Sequence, residues 1–397
     1  MSTTQPSRTS LTTLLSVGHA CVDVYQGAVA ALVPFFVSER AYSYAATAGI
    51  LLAASLLSSV VQPLFGVLTD RWAMPWLLPA STLTSGAGVA LAGVTSSYTL
   101  TLIVVAISGI GIAAYHPEGA RVARAVSRGS HSAMGWYSLG GNLGFAAAPV
   151  LVWAVIATGG LHASPILLIP ALIGVALSIA ALKRIKIPTA PPQAAHPIAR
   201  THAQDDWTSF LKLSGAIVCR SIVFVGLSAF ISLYARQRTG GTELSGTAAL
   251  FVLYLGGAVG TVAGGKLATR HGRLPVVRWS YALTILAVAG VVFVPGPLLY
   301  VFIALTSAGL YVPFSLHITL GQDYLPRRIG TASGVTLGLA VSIGGVASPL
   351  IGALADVTSL QIALTPLIAL PALGWFLLRT LHEPTRFEIN ELPAMVK

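Results

Sequence analysis

Residues 18–36 read GHACVDVYQGAVAALVPFF, and their reading decides the fold. The apolar stretch around them, 11–37, is long enough to cross a hydrocarbon core of about 30 Å, which takes roughly 20 helical residues. Yet it carries His19, Asp23 and Gln26, spaced i, i+4 and i+7 so that all three share one helical face. A charge near the middle of a spanning helix costs roughly 2.5–3.5 kcal/mol on insertion scales. Such side chains face water-filled cavities and handle ions, protons or polar solutes.

The rest of the chain repeats the pattern. It has 397 residues, 55% hydrophobic and only 9% charged, where soluble proteins carry about 25% charged residues. The expected spans are 11–37, 44–68, 75–95, 99–122, 130–158, 163–183, 208–235, 244–268, 275–294, 297–320, 329–355 and 359–381. Backbone groups in lipid must bond internally, so these are helices. The first is too long, and too polar at His19 and Asp23, for a signal peptide, and reads as a retained helix. The expectation is an all-α membrane protein with twelve transmembrane helices.

Net charge is +11, but the basic residues form no nucleic-acid-binding face. They recur in alternate loops: Arg71; Arg124 and Arg128; Lys183, Arg184, Lys186 and Arg200; Lys266, Arg270 and Arg273; Arg327 and Arg328. Arg40, Arg236 and Arg238 are the exceptions in otherwise bare loops. This positive-inside pattern expects both termini in the cytoplasm, with the chain in the cytoplasmic (inner) membrane. Cys21 and Cys219 lie within apolar stretches and read as small buried side chains.

Residues 184–207, RIKIPTAPPQAAHPIARTHAQDDW, are Pro- and Ala-rich and lack apolar helical periodicity. They read as a cytoplasmic linker between an N-terminal six-helix bundle, 1–183, and a C-terminal one, 208–397, that ends in a short tail. His196 and His202 within the linker read as solvated. The halves echo each other about 200 residues apart: GVLTDRWAMP at 66–75 against GKLATRHGRLP at 265–275, Pro149 against Pro349, and His116 near the match to His317. Two pseudo-symmetric bundles facing each other place a substrate site between them at the midplane.

Further polar groups sit at membrane depth. His116-Pro117-Glu118 lies near the end of the fourth stretch, with Arg121 three residues beyond Glu118. The two could form an ordinary helix-end ion pair, or Glu118 could change protonation as the site opens to one side and then the other. Arg220 falls near the centre of the seventh stretch and cannot discharge. It needs an anion, either a fixed carboxylate, for which Asp23 of the facing half is the best candidate, or an anionic substrate. His317 and Asn142 complete the candidates. Gly135, Gly140, Gly141 and Gly144, with Gly334, Gly338, Gly344 and Gly345, read as tracks for close helix packing. Tyr25, Tyr115, Trp136, Tyr137 and Tyr311 line a cavity or serve as packing.

These residues carry a resemblance. Gly66-Val-Leu-Thr-Asp70-Arg71 resembles the signature of the major facilitator superfamily, without the Gly-Arg pair that follows it there. Gly265-Lys-Leu-Ala-Thr-Arg270-His-Gly272-Arg273 keeps the Gly-Arg but has Thr269 in place of the Asp. Stretches 18–36, YHPEGARVAR at 115–124, GWYSLGGNLG at 135–144, 62–76 and 321–345 are similar to the fosmidomycin resistance protein group of drug efflux carriers. The resemblance implies the major facilitator fold and a phosphonate antibiotic as a possible substrate. It also implies that Asp70 holds the halves together by a charge–dipole contact when the carrier opens outwards.

The chain lacks a phosphate loop, an HExxH sequence, a nucleophile triad and metal-ligand Cys/His spacing. No cofactor, metal or enzymatic activity is expected, and the linker is too short for a nucleotide-binding domain. The sequence thus reads as a gradient-driven, monomeric carrier that exchanges a small, anionic compound for protons. Asp23 and Glu118 are the expected proton carriers. His19, Gln26, His116, Asn142, Arg220 and His317 are expected at the substrate, and Asp70, Arg71 and Arg121 in conformational roles. A proton-linked importer of a sugar or organic acid is the alternative, followed by a non-transporting membrane receptor.

Overall fold

The computed structural model describes residues 8–127, 131–185 and 204–384. Six helical crossings precede the linker: α1 (Arg8–Arg40), α2 (Tyr44–Arg71), α3 (Leu77–Ala92), α4 (Tyr98–Ser127), α5 (His131–Gly159) and α6 (Ile169–Arg184). Six more follow it, in eight helices: α7 (Trp207–Thr239), α8 (Glu243–His271), α9 (Arg273–Phe293), α10 (Leu298–Tyr311), α11 (Phe314–Tyr324), α12 (Ile329–Val357), α13 (Leu360–Leu364) and α14 (Ala369–Arg379). Among the described residues nine helical runs are long and apolar enough to span a membrane, one of them a 52-residue run that holds both α5 and α6. The shorter apolar helices Leu77–Ala92 and Ile343–Val357 complete the twelve crossings.

Three crossings that the sequence reads as single helices are interrupted. The sixth begins as a 3₁₀ turn, Gly160–Leu168, containing Pro165. The tenth breaks at Val312-Pro313 between α10 and α11. The twelfth passes from α13 through a 3₁₀ turn with Pro366 into α14. A proline supplies no N–H to the helix, and its ring crowds the carbonyl four residues back.

α1 and α7 occupy the middle of their halves. From Cys21 to Phe36 every side chain of α1 is buried except Gln26. α5 comes against α1 through its glycine track: a Cβ at Gly140 would collide with the backbone of Ser16, and one at Gly144 with that of Ala20. Small residues in both helices let the backbones touch. α12 meets α7 in the same way, where the Gly344 N–H donates to Ser221 Oγ at 3.1 Å. The repeat extends to the ends of the two central helices. Arg40 at the end of α1 donates to Gly93 O (2.7 Å), and Arg238 at the end of α7 to Phe293 O (2.9 Å). These bonds anchor two of the three exceptional arginines; the third, Arg236, lies 3.8 Å from Glu243.

The halves meet through α2 with α12 and α5 with α8. At the end of the bundle away from the termini, Asp356 of α12 accepts from Tyr44 N (2.8 Å) and Ala45 N (3.0 Å). One half thus caps the first turn of a helix in the other. Gln237 Nε2 adds a bond to Tyr44 Oη at 3.3 Å.

Candidate functional site

The polar face of α1 forms the first cluster. His19 Nδ1 lies 3.0 Å from Tyr137 O on α5. A carbonyl can only accept, so Nδ1 carries the proton and Nε2 turns to Asp23. Nε2 and Asp23 Oδ2 are 3.2 Å apart, and His116 Nε2 of α4 lies 3.6 Å from Asp23 Oδ1. With neutral His19 and ionised Asp23, two lone pairs would face each other. One proton shared by the pair removes that conflict. His19 Nε2 and Asp23 Oδ1 make no hydrogen bond and are buried. The ligand atoms of His19, Asp23 and His116 lie within 4.8 Å of one another, close enough to share one small cation, of which a proton is the smallest. The His19 ring is stacked on Tyr137 (centroids 4.3 Å apart) and Tyr115 (5.8 Å). Gly141 closes the cluster: a Cβ there would meet Asp23 Oδ2 and the His19 ring.

Gln26, one turn along from Asp23, is exposed although the rest of Cys21–Phe36 is buried. A polar side chain that is exposed within the interior of the bundle faces a cleft. Asn142 on α5 is half-buried.

Glu118 is fully buried and engaged within its own helix. Both its oxygens accept from Arg121, from Nε at 2.8 Å and from Nη2 at 2.5 Å. The i, i+3 pair that the spacing allows is therefore formed, and Glu118 stands apart from the Asp23 cluster.

Arg220 does not pair with Asp23. It is buried in the C-terminal half, with Nη1 donating to Leu310 O at 3.1 Å. Leu310 belongs to the last turn of α10, whose carbonyls lose helical partners at the proline break. The guanidinium lies 5.3 Å from the centroid of Phe314, the first residue of α11. Its Nε has no hydrogen-bond partner. Tyr281, Thr284, Gly309, Leu310 and Pro371 pack around it and leave a crevice too narrow for a water molecule. His317 is buried with Nε2 unbonded, its ring 5.8 Å from Tyr281. Among the described residues no carboxylate lies within ion-pair distance of Arg220.

The structure thus joins His19, Asp23 and His116 in one cluster and Arg220 with His317 in another. Arg71 is exposed. The side chain of Asp70 lies outside the described residues. Sequence reasoning missed Asp356, Tyr281 and Phe314. An Asp at the end of an apolar stretch, beside a loop bare of charge, was the available signal for Asp356. Tyr281 and Phe314 gave no signal beyond aromatic composition.

Twelve crossings in two repeated bundles, with charged groups buried at depth, define a multi-pass membrane carrier rather than an enzyme. The sequence model of the Major Facilitator Superfamily matches residues 15–349, and the chain belongs to that superfamily. It is 29% identical over 390 residues to the fosmidomycin resistance protein of Escherichia coli (strain K12), covering 94% of this chain and 93% of that one. It is 28% identical over 380 residues to an uncharacterised major facilitator transporter of Bacillus subtilis (strain 168), covering 93% of each. Its fold is similar to that of a bacterial homologue of the human lysosomal transporter Spinster, solved in an inward-facing, occupied conformation. The TM-score is 0.77 at 14% identity, over 95% of this chain and 97% of that one.

Proposed function

We propose that the chain is a proton-coupled antiporter that exports a small anionic compound by alternating access. A phosphonate like the one named for its Escherichia coli relative is the first candidate. The observation that carries the reading is the unequal charge of the two halves. The N-terminal half holds Asp23 between two histidines, and the C-terminal half holds Arg220 without a carboxylate. A lone buried guanidinium is costly, and an anionic substrate relieves that cost. A buried carboxylate flanked by imidazoles takes up a proton with small movements of the side chains.

In this cycle residues 1–183 and 208–397 rock about the central cleft, joined by the linker 184–207, with both termini in the cytoplasm. Substrate bound to Arg220, near His317, also contacts Gln26, Asn142, His19 and His116 across the cleft. Proton and anion occupy the cleft in turn: uptake of a proton around Asp23 from outside accompanies release of the anion, and loss of that proton to the cytoplasm readies Arg220 for the next anion. Glu118 serves as a second carrier whose proton exchange requires Arg121 to swing away. Arg71 and Asp70 set the balance between the open states from the termini side. The carrier works as a monomer.

The test uses purified carrier in proteoliposomes with an imposed pH gradient. Wild-type protein should accumulate a labelled phosphonate against its gradient, in the direction opposite to proton flow. Asp23→Asn and Glu118→Gln should lose uphill accumulation while still inserting and folding. Full proton-driven accumulation by both variants would refute the coupling. Movement of substrate together with protons would reverse the direction to import.

A further inference from the structure

The surroundings of Arg220 carry more than a positive charge. A site for a small hydrophilic anion would ring the guanidinium with further donors. Here an aromatic ring covers one face of it. The face of Phe314 lies over it at 5.3 Å, and the Phe314 and Tyr311 centroids are 6.4 Å apart. Tyr311 meets Phe224 edge-on at 5.2 Å, and Phe224 is 6.5 Å from Phe145 of the N-terminal half. These four rings form a row from the guanidinium across to the other half. All four are half-buried rather than packed away, although they lie within the central helices α5, α7, α10 and α11. Their neighbour Tyr254 is buried and holds Phe145 at a 4.0 Å centroid distance. The row therefore has a packed side and a side left partly open.

We propose that this site selects organic anions in which a flat, unsaturated body adjoins the acid group. The acid takes the buried, unbonded Nε of Arg220, and the body lies against Phe314, Tyr311 and Phe224. Phe314 already covers the guanidinium, so an entering ring replaces one cation–ring contact with ring–ring contacts and uncovers the charge for its acid. An acid without such a body must displace Phe314 with nothing to offer the exposed rings. This inference rests on the proposed anion site at Arg220 and adds to it the chemistry of the rest of the ligand.

The experiment measures binding of phenylphosphonate and methylphosphonate to the purified full-length carrier by calorimetry. The pair shares its acid group and differs in the ring. Wild-type protein should bind phenylphosphonate about tenfold more tightly, the size expected of one or two ring–ring contacts. Phe314→Leu and Phe224→Leu, checked for monodispersity in detergent, should each reduce that ratio toward one while retaining methylphosphonate binding. Equal affinity of the wild type for both compounds overturns the inference and leaves the anion site standing. So does a tenfold preference that survives both leucine variants. Failure of both compounds to bind overturns the anion site and this inference together.

Discussion

The two halves repeat one another in backbone but not in charge, and the contrast shows how a symmetric scaffold can run an asymmetric cycle. Asp23 in the N-terminal half has two imidazoles within 3.6 Å, more potential cations than its single charge requires. Arg220, in the matching central helix of the other half, has one carbonyl and a phenyl face. The first cluster can change its charge without any other ligand, because it can take up or release a proton. The second cannot, because a guanidinium stays charged. In the proposed cycle the proton therefore works in one half and the anion in the other.

Removing Asp23 should have the largest effect on that contrast. Asp23→Asn takes away the only carboxylate of the cluster and leaves His19 anchored to Tyr137 O. Uphill accumulation in proteoliposomes should vanish, while binding of the anion, measured by calorimetry, survives. Arg220→Gln should do the converse. Hydrogen bonds to a charged group contribute about 1.5–3 kcal/mol, so anion affinity should fall by about 10- to 150-fold. If Asp23→Asn abolished binding as completely as Arg220→Gln, the division of labour between the halves would be wrong.

Much of this arrangement was legible before any coordinates, for a physical reason. A buried charge in an apolar run is costly wherever it points, so His19, Asp23 and Arg220 stood out from sequence alone. The i, i+4 spacing of His19 and Asp23 fixed a shared face, and the structure brings those atoms to 3.2 Å. Contacts between helices were not legible. Asp23 and Arg220 matched by charge, yet nothing in one sequence says that His116 on α4 reaches Asp23 at 3.6 Å while Arg220 turns toward Leu310. The proline break at Val312-Pro313 explains the second choice, because it frees the carbonyl that Arg220 takes. Apolar length revealed the tenth crossing but not its interruption. Length measures hydrophobic span, and the break follows from one missing N–H.

A middle-sized effect tests how tightly the N-terminal cluster is held. Gly141→Ala would drive a methyl into Asp23 Oδ2 and the His19 ring. Overpacking of this kind costs about 1–3 kcal/mol, so thermal unfolding in detergent should shift downward and coupling should weaken. Gly135→Ala on the same helix is the control, because nothing lies within 4 Å of its added methyl, and it should unfold like the wild type. Equal behaviour of the two would mean that the cluster is looser than its geometry, with little holding the proton in place.

The smallest effect concerns the equilibrium between the halves rather than either site. Asp356 caps the first turn of α2 from across the interface, with one oxygen on Tyr44 N and the other on Ala45 N. Ser43 Oγ takes the next donor, Ala46 N, from within the same half at 3.1 Å. Of these cap bonds, only those of Asp356 must break when the halves part at this end, along with the Gln237–Tyr44 bond, so they favour the closed arrangement. Losing a helix cap costs about 0.5–2 kcal/mol, and a typical 1 kcal/mol shifts a two-state balance about fivefold. Asp356→Ala should therefore raise the population parted at this end by about that factor. Electron–electron resonance distances between labels at Ser96, in the loop before α4, and Leu298, the first residue of α10 in the opposite half, would report it as growth of the longer-distance component. Substrate affinity at Arg220 should change far less, because the cap touches neither cluster. An unchanged distance distribution would show that the Asp356 bonds decorate the closed end without holding it, leaving helix packing between α2 and α12 as the closure.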